Sequence, residues 1–398
     1  MDFAMFDADN HYYEAEDAFT RYASERMRAE RYVRWLAEGD GKRRRLFFGA
    51  REANVIGNPT FNPITRPGVF HETLKNLEAG LDRSAPAYGE LVPIDPAYRD
   101  RDARLTTMDR QGVEKALLFP TLGVTLEGIL SDDGDMLYQC FHAFNRWLDD
   151  DWGFDYRSRI YAAPYLSLLD LDRAVAELEW VLDRGARIVT IRPGPAYGRS
   201  PADPHFDPFW ARIEEAGVLV TYHALEGPST YTEQYRQLWA APPAPLTPEA
   251  RLLQHALTGI DTAIMDTLCA LVLHNLFGRF PNLHVATIEL GCGWVPFLLH
   301  RLDHVGGLVD RRISAFGMPL GGRPSEIFRQ HVWVSPFPEE DIAALAAHIG
   351  VEQILMGSDW PHAEGTVEPA DYLKALTAFD DASTRRIMRD NALELVVA

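Results

Sequence analysis

Eight short apolar segments that alternate with helix-like segments constrain the fold of this chain more than any other feature of its sequence. Each apolar segment stops at polar or turn residues, which is typical of the buried strands of a parallel sheet. We place these strands at residues 3–9, 113–120, 160–166, 186–192, 218–223, 283–289, 332–335 and 353–358.

Helices are predicted between the strands, and several of them end at a glycine, the usual residue just after a helix. The predicted helices cover residues 105–111, 135–150, 171–184, 208–216, 261–278, 294–304 and 339–349. Strands that alternate with helices form βα units, and eight such units favour a closed (β/α)8 TIM barrel. A doubly wound sheet is the alternative, although no Gly-x-Gly-x-x-Gly motif follows any strand.

The alternation is interrupted by a long stretch directly after the first strand, at residues 15–104. Here the pattern predicts a charged amphipathic helix at about 16–38 and a hairpin near 42–50. A segment rich in Pro, Asn and Gly follows at 58–63. We interpret residues 15–104 as an insertion or lid within a single barrel domain that spans residues 1–398.

The composition limits the classes of partner and compartment. The net charge of −19 argues against nucleic acid and anionic membranes, because both select clustered cations. Three cysteines without CxxC spacing fit a reducing compartment. We find neither a signal peptide nor an uninterrupted apolar run of about 18 residues, so a cytoplasmic protein is expected.

Ionisable residues follow the predicted strands at their carboxyl ends, where barrel enzymes carry their catalytic groups. These residues are Asp9, His11, Arg192, His223, Glu289 and Asp359. Two imidazoles and two carboxylates from strands one, five and eight supply the four ligands that a divalent cation needs. Each has a structural alternative: Asp359 could be a helix N-cap and His223 a hydrogen-bonded core histidine. The joint position of all four favours the metal site.

The same residues resemble the motifs of a known family. Asp7-x-Asp9-x-His11, followed by Glu14, resembles the first-strand motif of the amidohydrolase superfamily. The nearest branch is amidohydrolase family 2, named for aminocarboxymuconate-semialdehyde decarboxylase. Segments 186–223, 280–303 and 353–362 fit the same branch.

The resemblance implies a (β/α)8 barrel of the metal-dependent hydrolase type, with one metal ion held by Asp9, His11, His223 and Asp359. Asp9 stands where the branch often has a histidine, and a more oxygen-rich site makes Mn²⁺ competitive with Zn²⁺. Glu289 stands where decarboxylases of the branch often have an acid/base histidine. For this reason decarboxylation ranks second to hydrolysis at this point.

Roles for the rim residues follow from a metal-activated water. Asp359 is expected to bind the ion and transfer a proton, with Glu289 as the second group for proton transfer and His223 as a catalytic ligand. Arg192 is expected to hold a substrate carboxylate, with a salt bridge below the rim as its alternative. Trp294, Trp360 and His362 are expected to wall the pocket, with ordinary packing as the alternative for the tryptophans.

The sequence therefore predicts a metal-dependent hydrolase of a C–N or C–C bond in a small aromatic or carboxylated substrate. The alternative is a non-oxidative decarboxylase of an aromatic or enoic acid, in which the metal binds substrate. A catalytically inactive barrel that acts as a binding protein is a third, remote reading. By resemblance alone, a homodimer or higher homo-oligomer is expected.

Overall fold

The computed structural model describes residues 2–39, 43–53, 58–70, 91–224, 260–309 and 320–397. Within them the chain has an α/β architecture, in which parallel strands alternate with helices. Parts of the predicted insertion, residues 40–42, 54–57 and 71–90, lie outside the described residues.

Seven of the eight predicted barrel strands have a regular counterpart, the third of them in two pieces. In chain order the strands are β1 (Met5–Tyr12), β2 (Val33–Glu38), β3 (Arg43–Phe48), β4 (Arg51–Glu52), β5 (Ile64–Thr65), β6 (Leu91–Val92), β7 (Val113–Pro120), β8 (Ile160–Ala162), β9 (Tyr165–Leu166), β10 (Ile188–Ile191), β11 (Leu219–His223), β12 (Val285–Ile288) and β13 (Val332–Val334). One parallel sheet has the order β1-β7-β8, and the other has the order β13-β12-β11-β10-β9.

Backbone hydrogen bonds connect the two sheets between β8 and β9. The Ala163 N–H donates to the carbonyl of Leu118 in β7 at 2.9 Å. The Thr190 N–H of β10 donates to the carbonyl of Pro164, also at 2.9 Å. The chain from 160 to 166 therefore pairs with β7 through its first half and with β10 through its second.

The predicted last strand, 353–358, is an extended segment with isolated pairing rather than a regular strand. The Leu355 N–H donates to the carbonyl of Val334 in β13 at 2.9 Å. On its other side, the Ala8 N–H of β1 donates to the carbonyl of Met356 at 2.8 Å. The segment thus lies between β13 and β1 and brings the last polar motif of the chain beside the first.

The helices agree with the predicted positions from residue 101 onwards, apart from one interruption. The α-helices are Glu25–Ala29, Arg101–Gln111, Leu126–Leu130, Gly134–Asp151, Leu171–Leu182, Asp207–Ala216, Ile260–Leu273, Leu276–Arg279, Val295–Val309, Pro324–His331, Ile342–Ile349, Asp381–Arg385 and Asn391–Val397. Gly112 and Gly217 end their helices in the left-handed conformation, as predicted. A single helix was predicted at 261–278, and this is wrong, because Asn275 (φ 56°) separates two helices there. Among the described residues, none of these helices is long and apolar enough to cross a lipid bilayer.

The helix predicted at 16–38 is wrong over most of its length. A short helix, Glu25–Ala29, is followed by β2, which pairs antiparallel with β3. The pairing of Val33–Glu38 with Arg43–Phe48 confirms the hairpin near 42–50 and extends it. Tertiary contacts explain the outcome: the Trp35 indole donates to the carbonyl of Glu16 at 2.9 Å, and Phe48 is buried. Strand pairing and side-chain contacts of this kind override a helical charge pattern.

A distinct apolar cluster comes from alternate positions of the parallel strands. It includes Phe6, Ala8, Leu117, Phe119, Tyr161, Ala163, Ile188, Leu219, Ala286, Ile288 and Leu355. Alternate residues of a strand face the same side, so these side chains share one interior. The larger apolar cluster fills the space between the strands and the surrounding helices.

Candidate metal centre

Five ionisable side chains, each at or near the carboxyl end of a strand, meet in one buried cluster. Asp9 and His11 come from β1, His223 ends β11, Glu289 follows β12 and Asp359 follows the extended segment. None of the five is more than 8% exposed. The structure therefore brings together the four sequence-predicted ligands, and it adds Glu289 to them.

The donor atoms lie close together in two overlapping sets, which share His11 and Glu289. His11 Nε2 is 3.2 Å from Asp9 Oδ1 and 3.3 Å from Asp359 Oδ1. His223 Nε2 is 3.5 Å from Asp9 Oδ1 and 3.3 Å from Glu289 Oε2. Asp9, His11, His223 and Glu289 each offer an atom within 4.8 Å of the others, and so do His11, Glu289, Asp359 and His362.

Unsatisfied polar atoms show that this cluster fits a metal ion. Asp9 Oδ1, both ring nitrogens of His11, His223 Nε2 and Glu289 Oε2 are all buried without a hydrogen-bond partner. Buried polar atoms are nearly always hydrogen-bonded, and such a group of orphans calls for an explanation. Convergent imidazole nitrogens and carboxylate oxygens are the donor set of divalent transition metals.

Burial and neighbouring charges shift the pKa values of the two imidazoles in opposite directions. Burial, followed by the proximity of His362, lowers the pKa of His11 to about 3, so its ring is neutral near pH 7. Burial also lowers the pKa of His223, but Asp9 and Glu289 outweigh this effect and raise it above its ordinary value. His223 Nδ1 lies 3.0 Å from the carbonyl of Ala224, which leaves Nε2 to face the cluster.

The carboxylates are crowded in the absence of a cation. Burial, and then the charge of Asp359, raises the pKa of Glu289 well above its ordinary value. Burial, followed by Glu364 and Asp9, raises the pKa of Asp359 in the same way. Burial would also raise the pKa of Asp9, but contacts with His11 and His223 lower it below its ordinary value. A divalent cation would offset the repulsion among these groups.

The backbone is unusual at two of the site carboxylates. Glu289 has a φ of 54° and Asp359 a φ of 52°, in the left-handed region that residues other than glycine seldom adopt. Such conformations cost on the order of 1–3 kcal/mol and persist where surrounding contacts impose them. Both carboxylates are turned towards the cluster at this conformational cost.

A hydrogen-bonded chain joins Asp359 to β1 through His362. His362 Nδ1 lies 2.6 Å from Asp359 Oδ1, and its Nε2 lies 2.9 Å from Thr121 Oγ1. The Thr121 hydroxyl donates its proton to the carbonyl of Tyr12 at 2.8 Å. Thr121 must therefore accept from His362 Nε2–H, which leaves Nδ1 to share a proton with Asp359. The sequence had placed His362 only in the pocket wall, and nothing in it signalled Thr121.

The remaining sequence-predicted pocket residues lie outside the donor cluster. Arg192 follows β10, with its guanidinium 5.3 Å from the Tyr197 ring, and it lines a small cavity with Glu127. The Trp294 indole is buried and donates to the carbonyl of Leu290 at 2.9 Å. Trp360 is also buried, so both tryptophans pack in the interior. That they wall a substrate pocket stays a prediction.

Comparisons with known proteins agree with this fold. A family model described as amidohydrolase matches residues 76–396. The crystal structure of an amidohydrolase from Mycobacterium avium subsp. paratuberculosis K-10 is 38% identical, covers 100% of both chains and has a TM-score of 0.87. A second similar structure is a 5-carboxyvanillate decarboxylase from Novosphingobium aromaticivorans DSM 12444, complexed with manganese and 4-hydroxy-3-methoxy-5-nitrobenzoic acid. It is 18% identical and has a TM-score of 0.62, and the match covers 100% of this chain and 97% of that chain.

A curated relative carries the same family resemblance over part of the sequence. The 2-amino-3-carboxymuconate-6-semialdehyde decarboxylase of Dictyostelium discoideum is 23% identical over 201 residues. The match spans 50% of this chain and 50% of that relative. The family match over most of the sequence, together with the buried donor cluster, shows that this chain belongs to the amidohydrolase family of metal-dependent enzymes.

Proposed function

We propose that this protein is a metal-dependent, non-oxidative decarboxylase of a small aromatic or enoic carboxylic acid. The observation that carries the proposal is the Asp359–His362–Thr121 chain, which holds a proton beside the donor cluster. Replacing carbon dioxide on carbon by hydrogen requires a group that delivers such a proton. Related proteins named as decarboxylases support the same reaction class.

The proposed ligands are Asp9, His11, His223 and Asp359, with Glu289 as a further donor within reach. Bound there, a divalent ion such as Mn²⁺ or Zn²⁺ would supply a Lewis acid that polarises an oxygen of the substrate. Support comes from the buried orphan atoms of the cluster and from the manganese in the related decarboxylase structure.

The chain's own residues would then handle substrate and proton. Arg192 would hold a substrate carboxylate, because it directly follows β10, whose Thr190 pairs with Thr221 of β11, two residues before His223. Thr190 and Thr221 of these two strands are hydrogen-bonded through their hydroxyl groups, with the oxygens 2.6 Å apart. Asp359 would give the proton that it shares with His362 to the carbon from which carbon dioxide leaves.

We further infer that the parallel strands form one closed (β/α)8 barrel in a single domain, with residues 15–104 inserted after β1. The hydrogen bonds on both sides of the two sheets support closure. The separate interior cluster from alternate strand positions supports it too.

Hydrolysis of a C–N or C–C bond, which the sequence ranked first, is the competing function. The donor cluster suits both reactions, whereas the related proteins favour decarboxylation.

Product analysis in labelled water separates the two reactions. The manganese-loaded enzyme is incubated with hydroxylated benzoic acids, once in D₂O and once in H₂¹⁸O. We expect stoichiometric carbon dioxide, one deuterium on the product carbon and no ¹⁸O in the organic product. Turnover of a substrate with ¹⁸O in the organic product and no carbon dioxide would establish hydrolysis instead. Asp359→Asn is expected to be inactive yet folded, whereas the exposed Asp381→Asn is the control that keeps activity.

A further inference from the structure

A fully buried cation lies behind the donor cluster. Arg104, in helix Arg101–Gln111, has no solvent-exposed surface. Its guanidinium donates to the carbonyl of Ala97 at 2.7 Å, to the carbonyl of His11 at 2.6 Å and to Oδ1 of Asn10. Two of these three acceptors belong to the strand that carries the first two proposed ligands.

The same network continues to the residue before Asp359. Asn10 Nδ2 donates to Asp7 Oδ2 at 2.9 Å. Asp7 also accepts from the Ser358 N–H at 3.0 Å and from the Ser358 hydroxyl at 2.5 Å. Arg104, Asn10, Asp7 and Ser358 therefore connect the two ends of the chain that meet at the cluster.

The strand needs this support, because its ladder is irregular at the site. The pairing of β1 with β7 shifts register between Asp7 and Asn10, around Asp9. A bulge of this kind loosens the constraint that ladder hydrogen bonds place on neighbouring side chains. The contact of Arg104 with the His11 carbonyl supplies a constraint from the other side of the strand.

The guanidinium also packs against the residue that follows Asp359. Its carbon lies 4.8 Å from the centre of the Trp360 ring, directly after Asp359 in sequence. This contact places the guanidinium beside the segment that carries Asp359.

We propose that Arg104 is a positioning residue of the metal centre. It holds the backbone of His11 directly, and it holds Asp359 through the hydrogen bonds of Asn10, Asp7 and Ser358. Both proposed ligands are thereby kept at the distances that metal binding needs. Partners that orient metal ligands typically change metal affinity by about 10–100-fold when they are removed. The inference rests on the metal centre of the proposed function and is independent of the reaction catalysed.

Manganese binding to the chelator-treated full-length protein tests this inference without a substrate. Free and bound Mn²⁺ are measured by electron paramagnetic resonance for the wild type, Arg104→Met and Arg104→Lys. The matched control is Arg101→Met in the same helix, whose guanidinium contacts the carbonyl of Asp150 and the Tyr156 ring instead. Folding of each variant is checked by circular dichroism.

We expect the wild type and Arg101→Met to bind one Mn²⁺ with equal affinity and the same spectrum. Arg104→Met should bind at least about tenfold more weakly, with an altered spectrum of the bound ion. Arg104→Lys should lie between them, because an ammonium keeps the charge but lacks the planar fork that reaches three acceptors. If Arg104→Met does not fold, Arg104→Lys decides.

Binding by a folded Arg104 variant within twofold of the wild type, with an unchanged spectrum, would overturn the positioning role. Absence of Mn²⁺ and Zn²⁺ binding to the wild type would instead overturn the metal centre of the proposed function. The two failures are thus distinguishable in one experiment.

Discussion

His223 reaches the cluster through one nitrogen, since Nδ1 is engaged by the carbonyl of Ala224. Its Nε2 is buried, has no hydrogen-bond partner and faces Asp9 and Glu289. His223→Ala removes one imidazole nitrogen from the proposed ligand set, so that fewer donors remain to hold the ion. We expect metal content after dialysis to fall at least about tenfold, as measured by plasma mass spectrometry.

The matched control for this prediction is His348→Ala, an exposed residue in the last turn of the helix Ile342–Ile349. It is expected to keep the metal content of the wild type. Full metal content in a folded His223→Ala protein would contradict the assignment of His223 as a ligand.

His362 makes a different contribution at the same scale, because it contacts Asp359 and Thr121 at the two ends of its ring. His362→Phe keeps a ring but loses both hydrogen bonds. We expect kcat to fall by about 10²-fold or more with metal content unchanged, since the group that shares a proton with Asp359 is gone. Steady-state kinetics and metal analysis of the same samples check this.

His362→Asn separates proton sharing from orientation. An asparagine amide can still donate to Asp359, but it does not exchange a proton as an imidazole does. A kcat equal to that of the wild type in His362→Asn would show that His362 only orients Asp359.

At the scale of an element, the extended segment 353–358 depends on a glycine that touches β1. A Cβ on Gly357 would lie 2.6 Å from the Cβ of Asp9 and 2.5 Å from Oγ of Ser335. Gly357→Ala must therefore push the segment away from β1 and disturb Asp9. We expect a loss of about 1–3 kcal/mol in the free energy of unfolding, together with weaker metal binding.

Chemical denaturation and Mn²⁺ titration of Gly357→Ala measure the two effects. Gly321→Ala is the control, because a Cβ at that position would meet no atom within 4 Å. Equal stability and equal metal affinity in the two variants would show that the contact with Asp9 does not constrain the site.

Elements could be predicted from the sequence where local pattern and tertiary environment agree. The strand Val113–Pro120 lies at the predicted residues and the helix before it ends at Gly112 as predicted, since the strand carries a buried apolar run from Ala116 to Pro120. Val33–Glu38 was predicted as helix, because its strand pairing depends on Arg43–Phe48, a contact that periodicity does not encode. The extended segment 353–358 pairs at isolated positions, and hydrogen-bond geometry of this kind also has no sequence signal.

At the scale of the whole molecule, metal binding and stability are coupled. Asp9, Glu289 and Asp359 bury three carboxyl groups around orphaned imidazole nitrogens, and a bound cation stabilises only the folded arrangement. Free Mn²⁺ at 100 times its dissociation constant is expected to add about 2.7 kcal/mol to the free energy of unfolding. Calorimetry of chelator-treated protein at increasing Mn²⁺ concentration measures the rise in Tm.

Asp359→Asn is the comparison for this prediction, since it lacks one proposed ligand and is expected to show most of that rise lost. A Tm that does not depend on Mn²⁺ concentration in the wild type would contradict the coupling.

The sequence could predict which strand-end residues meet at the candidate site, but not the contacts among their side chains. Asp9, His11, His223 and Asp359 meet because carboxyl ends of parallel strands share one rim, and that follows from the strand pattern. Glu289 was predicted at the same rim only as a proton-transfer group, because its place after a strand does not say whether its carboxylate reaches the other donors. The one divalent ion expected from the sequence agrees with the buried cluster and with the manganese in related structures.

The adjacency of β1 and the segment 353–360 has a consequence for biosynthesis. Asp7 and Ser358 are hydrogen-bonded across 351 positions of sequence. Asp9 and His11 are therefore synthesised long before Asp359. The complete set of proposed ligands exists only once residue 359 has been added, so no ion can contact all of them before that point.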